Sequence, residues 1–272
     1  MNQAEAHARF RALHEAPGAF VLANAWDAAS AVVLREAGFQ ALGTSSAAIA
    51  HGMGRADGYH AVSRAEAVAN GTLLGRASGL PVNGDLEDGF GPSPDDCVAT
   101  VEAAIAGGLA GIGIEDTTAD PANPIHGFDA AVARIAAAAR AAKGRIVLTG
   151  RTDIYLHGQG DLDEAVRRLT AFAEAGADVL YAPALPDIDA IRTVVRAVAP
   201  KPVNVLLGPW GQFGTLADLS AAGVKRVSLG SALYGNVMGH LGRVAAQVTG
   251  GDMLAAVSGK TALNFDDMFG TS

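Results

Sequence analysis

One unit recurs along the chain: a helix-like stretch ending in small residues, followed almost at once by a short apolar run that ends in polar side chains. REAGFQALGTSS, GGLAGIGIED, EAGADVLYAP and AAGVKRVSLGS are copies of it. Glycine past a helix end supplies a left-handed cap, and an unbroken apolar run suits a strand covered on both faces. Each copy is therefore the helix-to-strand half of a βα repeat. Eight such runs occur, near 20–24, 40–44, 81–85, 111–115, 145–151, 178–183, 202–206 and 226–230. Helix start signals lie between them. Ser63 with Glu66 reads as a capping box, and Ser93-Pro94-Asp95-Asp96 joins an N-cap serine, a proline at the first helical position and acids facing the helix dipole. Asp161 with Glu164 and Thr215 with Asp218 repeat the pattern.

Strict alternation of strand and helix implies parallel strands with right-handed crossovers, and eight of them close on themselves. The expected fold is thus α/β, a parallel (β/α)8 TIM-type barrel filling residues 1–272 as a single domain. An N-terminal helix is expected over 1–15. The segment 231–272 holds more helix than a minimal barrel needs, which suits packing on a neighbouring subunit. With 34 glycines in 272 residues, against a usual ~7%, the chain is equipped for many tight turns.

Composition removes several function classes. Lys and Arg number 20 against 28 Asp and Glu, a net charge of −8, so no field draws in phosphate backbones and neither nucleic acid nor an anionic membrane is an expected partner. Apolar stretches break well short of the ~18 residues a spanning helix needs. The polar N-terminus MNQAEAHARFRALHEA shows no apolar core of a secretory signal. Cys97 is the lone cysteine, which excludes an internal disulfide and a structural Cys zinc site. A cytoplasmic location is expected.

Chemistry in such a barrel gathers at the C-terminal strand ends. There the first strand delivers Asn24, Trp26 and Asp27, the second Thr44, Ser45 and Ser46, the third Asp85, Glu87 and Asp88, and the fourth Glu115 and Asp116. The remaining strands add Arg151 and Asp153, Tyr181, Asn204, Ser228 and Ser231, and the long loop after the second strand adds Asp57. Carboxylates converging on one rim repel one another unless something positive sits among them. A hard divalent cation answers this. Mg²⁺ takes oxygen ligands, keeps several waters and uses one or two carboxylates directly; Asp85 is the first choice for contact, with Glu87, Glu115 and Asp57 acting through water. Asp88 alternates away if the strand persists. Arg151, in TGRTD, has the fork that clamps a substrate carboxylate or phosphonate.

These residues carry a family likeness. Through GTSSAAIA, GRADGYHAVSRAEA, GDLEDGFG, GIGIEDTT, GRTDIYL, EAGADVLYAPAL, KPVNVLLGP and GVKRVSLGSALY, the chain resembles the isocitrate lyase/phosphoenolpyruvate mutase superfamily, and within it the short bacterial phosphonomutase-like members. The resemblance implies a Mg²⁺-binding barrel that acts on a small 2-oxo, enol or phosphono acid, breaking or forming a C–C or C–P bond through an enolate. By position, Asp57, Asp85, Glu87 and Glu115 match the metal-shell carboxylates, with Glu87 where many relatives have Asp. Ser45 and Ser46 match the segment seating the substrate carboxylate, and Trp26, Arg151 and Asn204 stand on the substrate side. Asp57, Glu115 and Arg151 are the expected catalytic groups. Homotetramers that exchange the last barrel helix are usual among such proteins.

The departures bear on the reaction. Isocitrate-type lyases carry a Lys-Lys-Cys-Gly-His type motif after the fourth strand, whereas DTTADPANPIHG has neither Cys nor Lys, so isocitrate lyase proper is disfavoured. Mutases and phosphonopyruvate hydrolases place a Lys and an Asn there; Asn123 matches the second alone. Cleavage of a C–C bond in a 2-oxo acid, by a lyase or decarboxylase with residues 117–127 as a lid, survives these losses best. C–P chemistry is the alternative, and a non-catalytic metabolite-binding barrel the third reading. Blander roles stand beside the sharp ones: Asp27 as a helix cap, Asp116 and Asp153 as turn stabilisers, Arg151 bridging to Glu115, His126 as a solvated loop residue instead of a proton donor, and Cys97 as packed, inert thiol.

Overall fold

A computed structural model describes residues 1–208, 214–258 and 263–270; positions 259–262 and 271–272 of the predicted C-terminal segment lie outside them. Strands β1 (Phe20–Asn24), β2 (Leu42–Gly43), β3 (Val82–Asp85), β4 (Gly111–Glu115), β5 (Val147–Arg151), β6 (Val179–Tyr181), β7 (Val203–Leu206) and β8 (Arg226–Ser228) form a closed barrel in sequence order. Every pairing is parallel, and β8 returns to β1. The helices are α1 (Gln3–Glu15), α2 (Ala28–Glu36), α3 (Ser46–Gly52), α4 (Arg64–Ser78), α5 (Pro94–Ala106), α6 (Phe128–Ala142), α7 (Leu162–Glu174), α8 (Ile188–Val198), α9 (Leu216–Ala221), α10 (Ala232–Thr249) and α11 (Phe265–Phe269). The expected barrel is the one observed.

Each predicted strand is present, and several stop early for local reasons. The run at 226–230 ends its ladder at Ser228 because the N–H groups of Leu229 and Gly230 both donate to Asn24 Oδ1 at 2.9 Å. The run at 178–183 leaves the ladder after Tyr181, ahead of Pro183, which has no N–H to give. The start signals hold: Ser63 accepts from the Glu66 N–H, Asp161 from the Glu164 N–H, Thr215 from the Asp218 N–H, and Asp96 accepts from the Ser93 N–H. Asp27 caps α2 through the Ser30 N–H at 2.7 Å.

Two apolar layers hold the shell and the floor. Between strands and helices, Leu109, Ile112, Ile114, Ile135, Leu148 and Phe172 pack as one buried cluster. Inside the barrel, α1 closes the N-terminal end: Phe10 is fully buried among Leu22, Ala41, Val147 and Val179. Gly111 makes room for it, since a Cβ there would lie 2.6 Å from Phe10 Cε1. Helix α10 buries none of its residues and leaves Val237, Met238 and Leu241 exposed. No helix among the described residues is long and apolar enough to cross a membrane. Phe10→Ala should cost about 3–5 kcal/mol of unfolding free energy in urea denaturation. A loss under about 1 kcal/mol would show that α1 is not the plug of the barrel.

Candidate active site

Two cavities adjoin at the C-terminal rim. The first, about 190 Å³, is lined at its mouth by Ser45, Ser46, Asp57, Asp85 and Arg151 and deeper by Asn83, Thr149, Asn204 and Arg226. The second, about 240 Å³, is lined by His60, Glu87, Glu115, Thr117 and Asp153. Ser46, Asp57, Arg151 and Leu156 belong to both, so the two form one continuous polar rim.

Arg151 is the hub. In the ladder it lies opposite Glu115 on β4 and Tyr181 on β6, which places its guanidinium between acids of neighbouring strands. Its Nη1 lies 3.2 Å from Asp85 Oδ1 and 2.9 Å from Glu115 Oε2. Asp153 holds it bidentately, with Nε to Oδ1 at 2.5 Å and Nη2 to Oδ2 at 2.6 Å, and the Tyr181 ring lies 5.2 Å from its centre. The predicted bridge to Glu115 is present, and Asp85 and Asp153 join it. Burial raises the Glu115 carboxyl well above its ordinary range, against the pull of Arg151.

Backbone N–H groups hold the rim acids Asp85 and Glu87. Asp85 Oδ2 accepts the Ser46 N–H at 3.0 Å, while the Asp85 N–H donates to Thr44 Oγ1 at 2.7 Å. Burial and then the facing Asp85 raise the Asp57 carboxyl. Burial pushes Glu87 up to about 7, opposed by the His60 N–H that donates to its Oε2 at 3.1 Å. Glu87 takes φ +47°, and Tyr59 and His60 take +53° and +59°, a left-handed region that non-glycine residues enter at a cost. This turn, not strand alternation, sends Asp88 away from the rim: Asp88 bonds His60 Nε2 at 2.6 Å and lies 3.5 Å from Arg134. Asp57, Asp85, Glu87, Glu115 and Asp153 thus line one rim with Arg151, and three of these five acids, Asp85, Glu115 and Asp153, pair with its guanidinium. Among the described residues no three His, Cys, Asp or Glu side chains form a ready-made metal cage.

The remaining predicted residues fall in different places. Ser45 Oγ caps α3 through the Ala48 N–H, and Ser46 spends its N–H on Asp85. Asn204 lies inside the first cavity with both polar ends engaged: Oδ1 accepts from Arg226 Nε at 2.9 Å and Nδ2 donates to Ser228 Oγ at 3.0 Å. Trp26 lines neither cavity; its ring stands edge-on to Tyr234, 5.4 Å between centroids. Asp116 braces its turn, accepting from Thr152 Oγ1, the Asp153 N–H and Arg168 Nη1. His126 is half-buried with Nε2 shut off from partners, unlike the solvated loop residue expected. The loop 117–127 folds as a flap, Thr117 bridging Ile125 and Asn123 Nδ2 donating to Asp120 at 2.9 Å. Burial raises the Cys97 thiol to about 11, so it is inert at neutral pH. Sequence reading passed over Arg226 and Asn83. A charged residue two positions before Ser228 on the same inward alternation is the signal that marks the first.

Glu87 yields a pH test. Its folded pKa lies above the ordinary 4.5, so the folded chain holds a proton that the unfolded chain has released, and stability falls as pH rises from about 4.5 to about 7. Glu87→Gln in metal-free buffer should be near neutral at pH 5 and stabilising by roughly 2–3 kcal/mol at pH 8. An equal effect at both pH values would show that Glu87 is solvated.

Comparison with known proteins sets the chain in a family. The phosphoenolpyruvate phosphomutase family model matches residues 10–249. An uncharacterised Mycobacterium tuberculosis protein is 34% identical over 252 residues, covering 90% of each chain. Oxaloacetate decarboxylase of Chromohalobacter salexigens is 29% identical over 236 residues, 83% of this chain and 79% of that one. Among solved structures, a lyase/mutase-type protein of Burkholderia cenocepacia J2315 superposes with a TM-score of 0.90 at 42% identity, over 98% of this chain and 95% of that one. Phosphoenolpyruvate phosphomutase of Streptomyces platensis subsp. rosaceus does so with 0.85 at 25% identity, over 94% and 92%. The chain belongs to the isocitrate lyase/phosphoenolpyruvate mutase superfamily of lyases and mutases.

Proposed function

We propose that the protein is a Mg²⁺-dependent lyase or decarboxylase that breaks the C3–C4 bond of a small 2-oxo acid, one carbon beyond the 2-oxo group, the electron pair of the broken bond passing into that group as an enolate. The observation that carries this is the rim's charge imbalance, five acids against the Arg151 guanidinium. Their oxygens fit a hard divalent ion: Asp57 and Glu87 have no ion pair among the described residues, and both carboxyls are raised, so a cation between them relieves repulsion. Asp85 would hold it directly, with Glu87, Glu115 and Asp57 contributing through water. When bound, Mg²⁺ supplies the positive charge that steadies developing enolate oxygen.

The chain's own groups do the rest. Arg151, locked by Asp153, Asp85 and Glu115, keeps its charge at the rim and one Nη2 N–H for the substrate's anionic end. Ser45 and Ser46 at the start of α3 seat its carboxylate, with Asn204 shaping the substrate side; Trp26, turned toward Tyr234, takes no part. Glu115 and Asp57, their carboxyls raised by burial, keep a proton available nearer neutral pH than a solvated acid does. The flap 117–127 closes over the rim and excludes water. C–P bond chemistry is the second reading, favoured by the family model's phosphomutase description; the flap's lack of the mutase-type Lys favours the first.

The assembly is a cytoplasmic homotetramer in which α10 lies against a neighbouring barrel, covering Val237, Met238 and Leu241. Leu241→Asp should break it into smaller species in analytical ultracentrifugation; an unchanged mass refutes that placement. For the reaction, a panel of 2-oxo and phosphono acids is incubated with and without Mg²⁺. Pyruvate and CO₂ from oxaloacetate supports the reading, and phosphate from phosphonopyruvate replaces it with the second. Asp85→Ala should abolish Mg²⁺-dependent turnover in a folded protein, whereas Cys97→Ser should leave it near wild type. A large loss from the cysteine change would place the acid elsewhere.

A further inference from the structure

Beneath the rim, the first cavity ends on a cation that no acid among the described residues neutralises. Arg226 opens β8 and is 2% exposed. Its Nε donates to Asn204 Oδ1 at 2.9 Å, its Nη2 to Thr149 Oγ1 at 2.9 Å, and its Nη1 faces His14 Nε2 at 3.4 Å. All three partners are neutral. Burial and the neighbouring guanidinium push His14 down to about 3, and with its Nδ1 donating to the Phe10 carbonyl at 2.9 Å its Nε2 is left as an acceptor.

The other buried arginines are answered by acids: Arg134 by Asp88, and Arg168 by Asp116 and Glu164. Among the described residues, Arg226 has no such partner, and the Tyr181 phenol is the one ionisable group that favours its charge. Burial lowers the guanidinium to about 10, which leaves it cationic at neutral pH. A buried cation without a counter-charge is costly unless something completes it.

A second group points the same way. Asn83 on β3 lines the same cavity at 7% exposure, and its Oδ1 is buried without a hydrogen-bond partner. Buried amides are ordinarily satisfied. Gly111 lets the amide pack there, since a Cβ on it would lie 2.6 Å from the same oxygen. Turned over, the amide offers N–H donors in place of its oxygen at nearly the same volume.

We propose that the cavity floor is a carboxylate subsite, in which Arg226, flanked by Thr149 and Asn83, takes a carboxylate of the bound acid distinct from the one seated at the rim. The substrate is then a dicarboxylate. This rests on the reading of the rim as the seat of a 2-oxo acid. A carboxylate fits better than a phosphonate because one guanidinium with neutral neighbours balances a single negative charge, and a guanidinium fork matches two carboxylate oxygens. Three of its five N–H groups are engaged by protein, leaving donors for the ligand.

The test is calorimetric binding to the full chain with Mg²⁺ present. The probes are pyruvate, phosphonopyruvate and 3,3-difluorooxaloacetate, the last a 2-oxo acid with a second carboxylate. Wild type should bind the diacid roughly tenfold or more tightly than pyruvate. Arg226→Met should erase that preference while leaving pyruvate affinity within roughly twofold, and the melting temperature of the ligand-free variant should not fall. Should Arg226→Met fail to fold, Asn83→Ala and Thr149→Val serve, each reducing the preference for the diacid. Equal wild-type binding of diacid and pyruvate, or an equal loss of both in Arg226→Met, overturns the subsite. Phosphonopyruvate that matches the diacid and depends equally on Arg226 overturns its assignment to a carboxylate. The preference without any C–C cleavage would sink the proposed reaction alone, and cleavage without the preference would sink the subsite alone.

Discussion

Charge placed where water cannot reach it must be matched by opposite charge or by hydrogen bonds, and the interior of this barrel is arranged around that constraint. Arg151 is its centre. The guanidinium ties Asp85, Glu115 and Asp153, three acids from three successive strand ends, into one network. Such pairs contribute little net stability once desolvation is counted. They do fix the positions of side chains that would otherwise repel, and that makes the rim a preorganised site instead of a set of mobile acids.

The backbone supplies what side-chain pairing cannot. Glu87 reaches the rim because β3 ends at Asp85 and the chain turns through a left-handed conformation there. Tyr59 and His60 hold a matching strained turn in the loop that carries Asp57, and the His60 N–H binds Glu87 while its ring binds Asp88. Strain persists where surrounding structure over-determines it. Here two hydrogen bonds fasten the Asp57 loop to the third strand end, so Asp57 and Glu87 face the same space.

Below the acids the sign of the charge reverses. The rim carries excess negative charge around Arg151, and the floor carries the positive charge of Arg226 among neutral amides and hydroxyls. A cation at the rim and an anion at the floor would each complete a part of the cavity that the chain alone leaves unbalanced. The Phe10 plug matters to this arrangement, because it seals the opposite end of the barrel and keeps Arg226 from bulk water.

Local signals wrote most of the architecture. Helix caps such as Ser63 with Glu66 act over three residues, and the apolar runs that become β3 to β8 are short, so both are legible without tertiary context; with them come the barrel and the strand ends that bring Ser46, Asp57, Asp85, Glu87, Glu115 and Arg151 to one rim. Where register or packing decides, local pattern is silent. Whether Arg151 faces a metal or three acids depends on which strands are neighbours across the barrel. Trp26 stands at a strand end yet turns toward Tyr234, because the ring of α10 lies beside it. Arg226 looks like an ordinary strand residue until the closed barrel shows that its inward side meets no acid among the described residues. Sequence by itself determined the repeat and the chemistry available at its ends, because both follow from residue type and spacing; tertiary structure alone decided which charges are paired, because pairing depends on distances between segments as much as 66 residues apart.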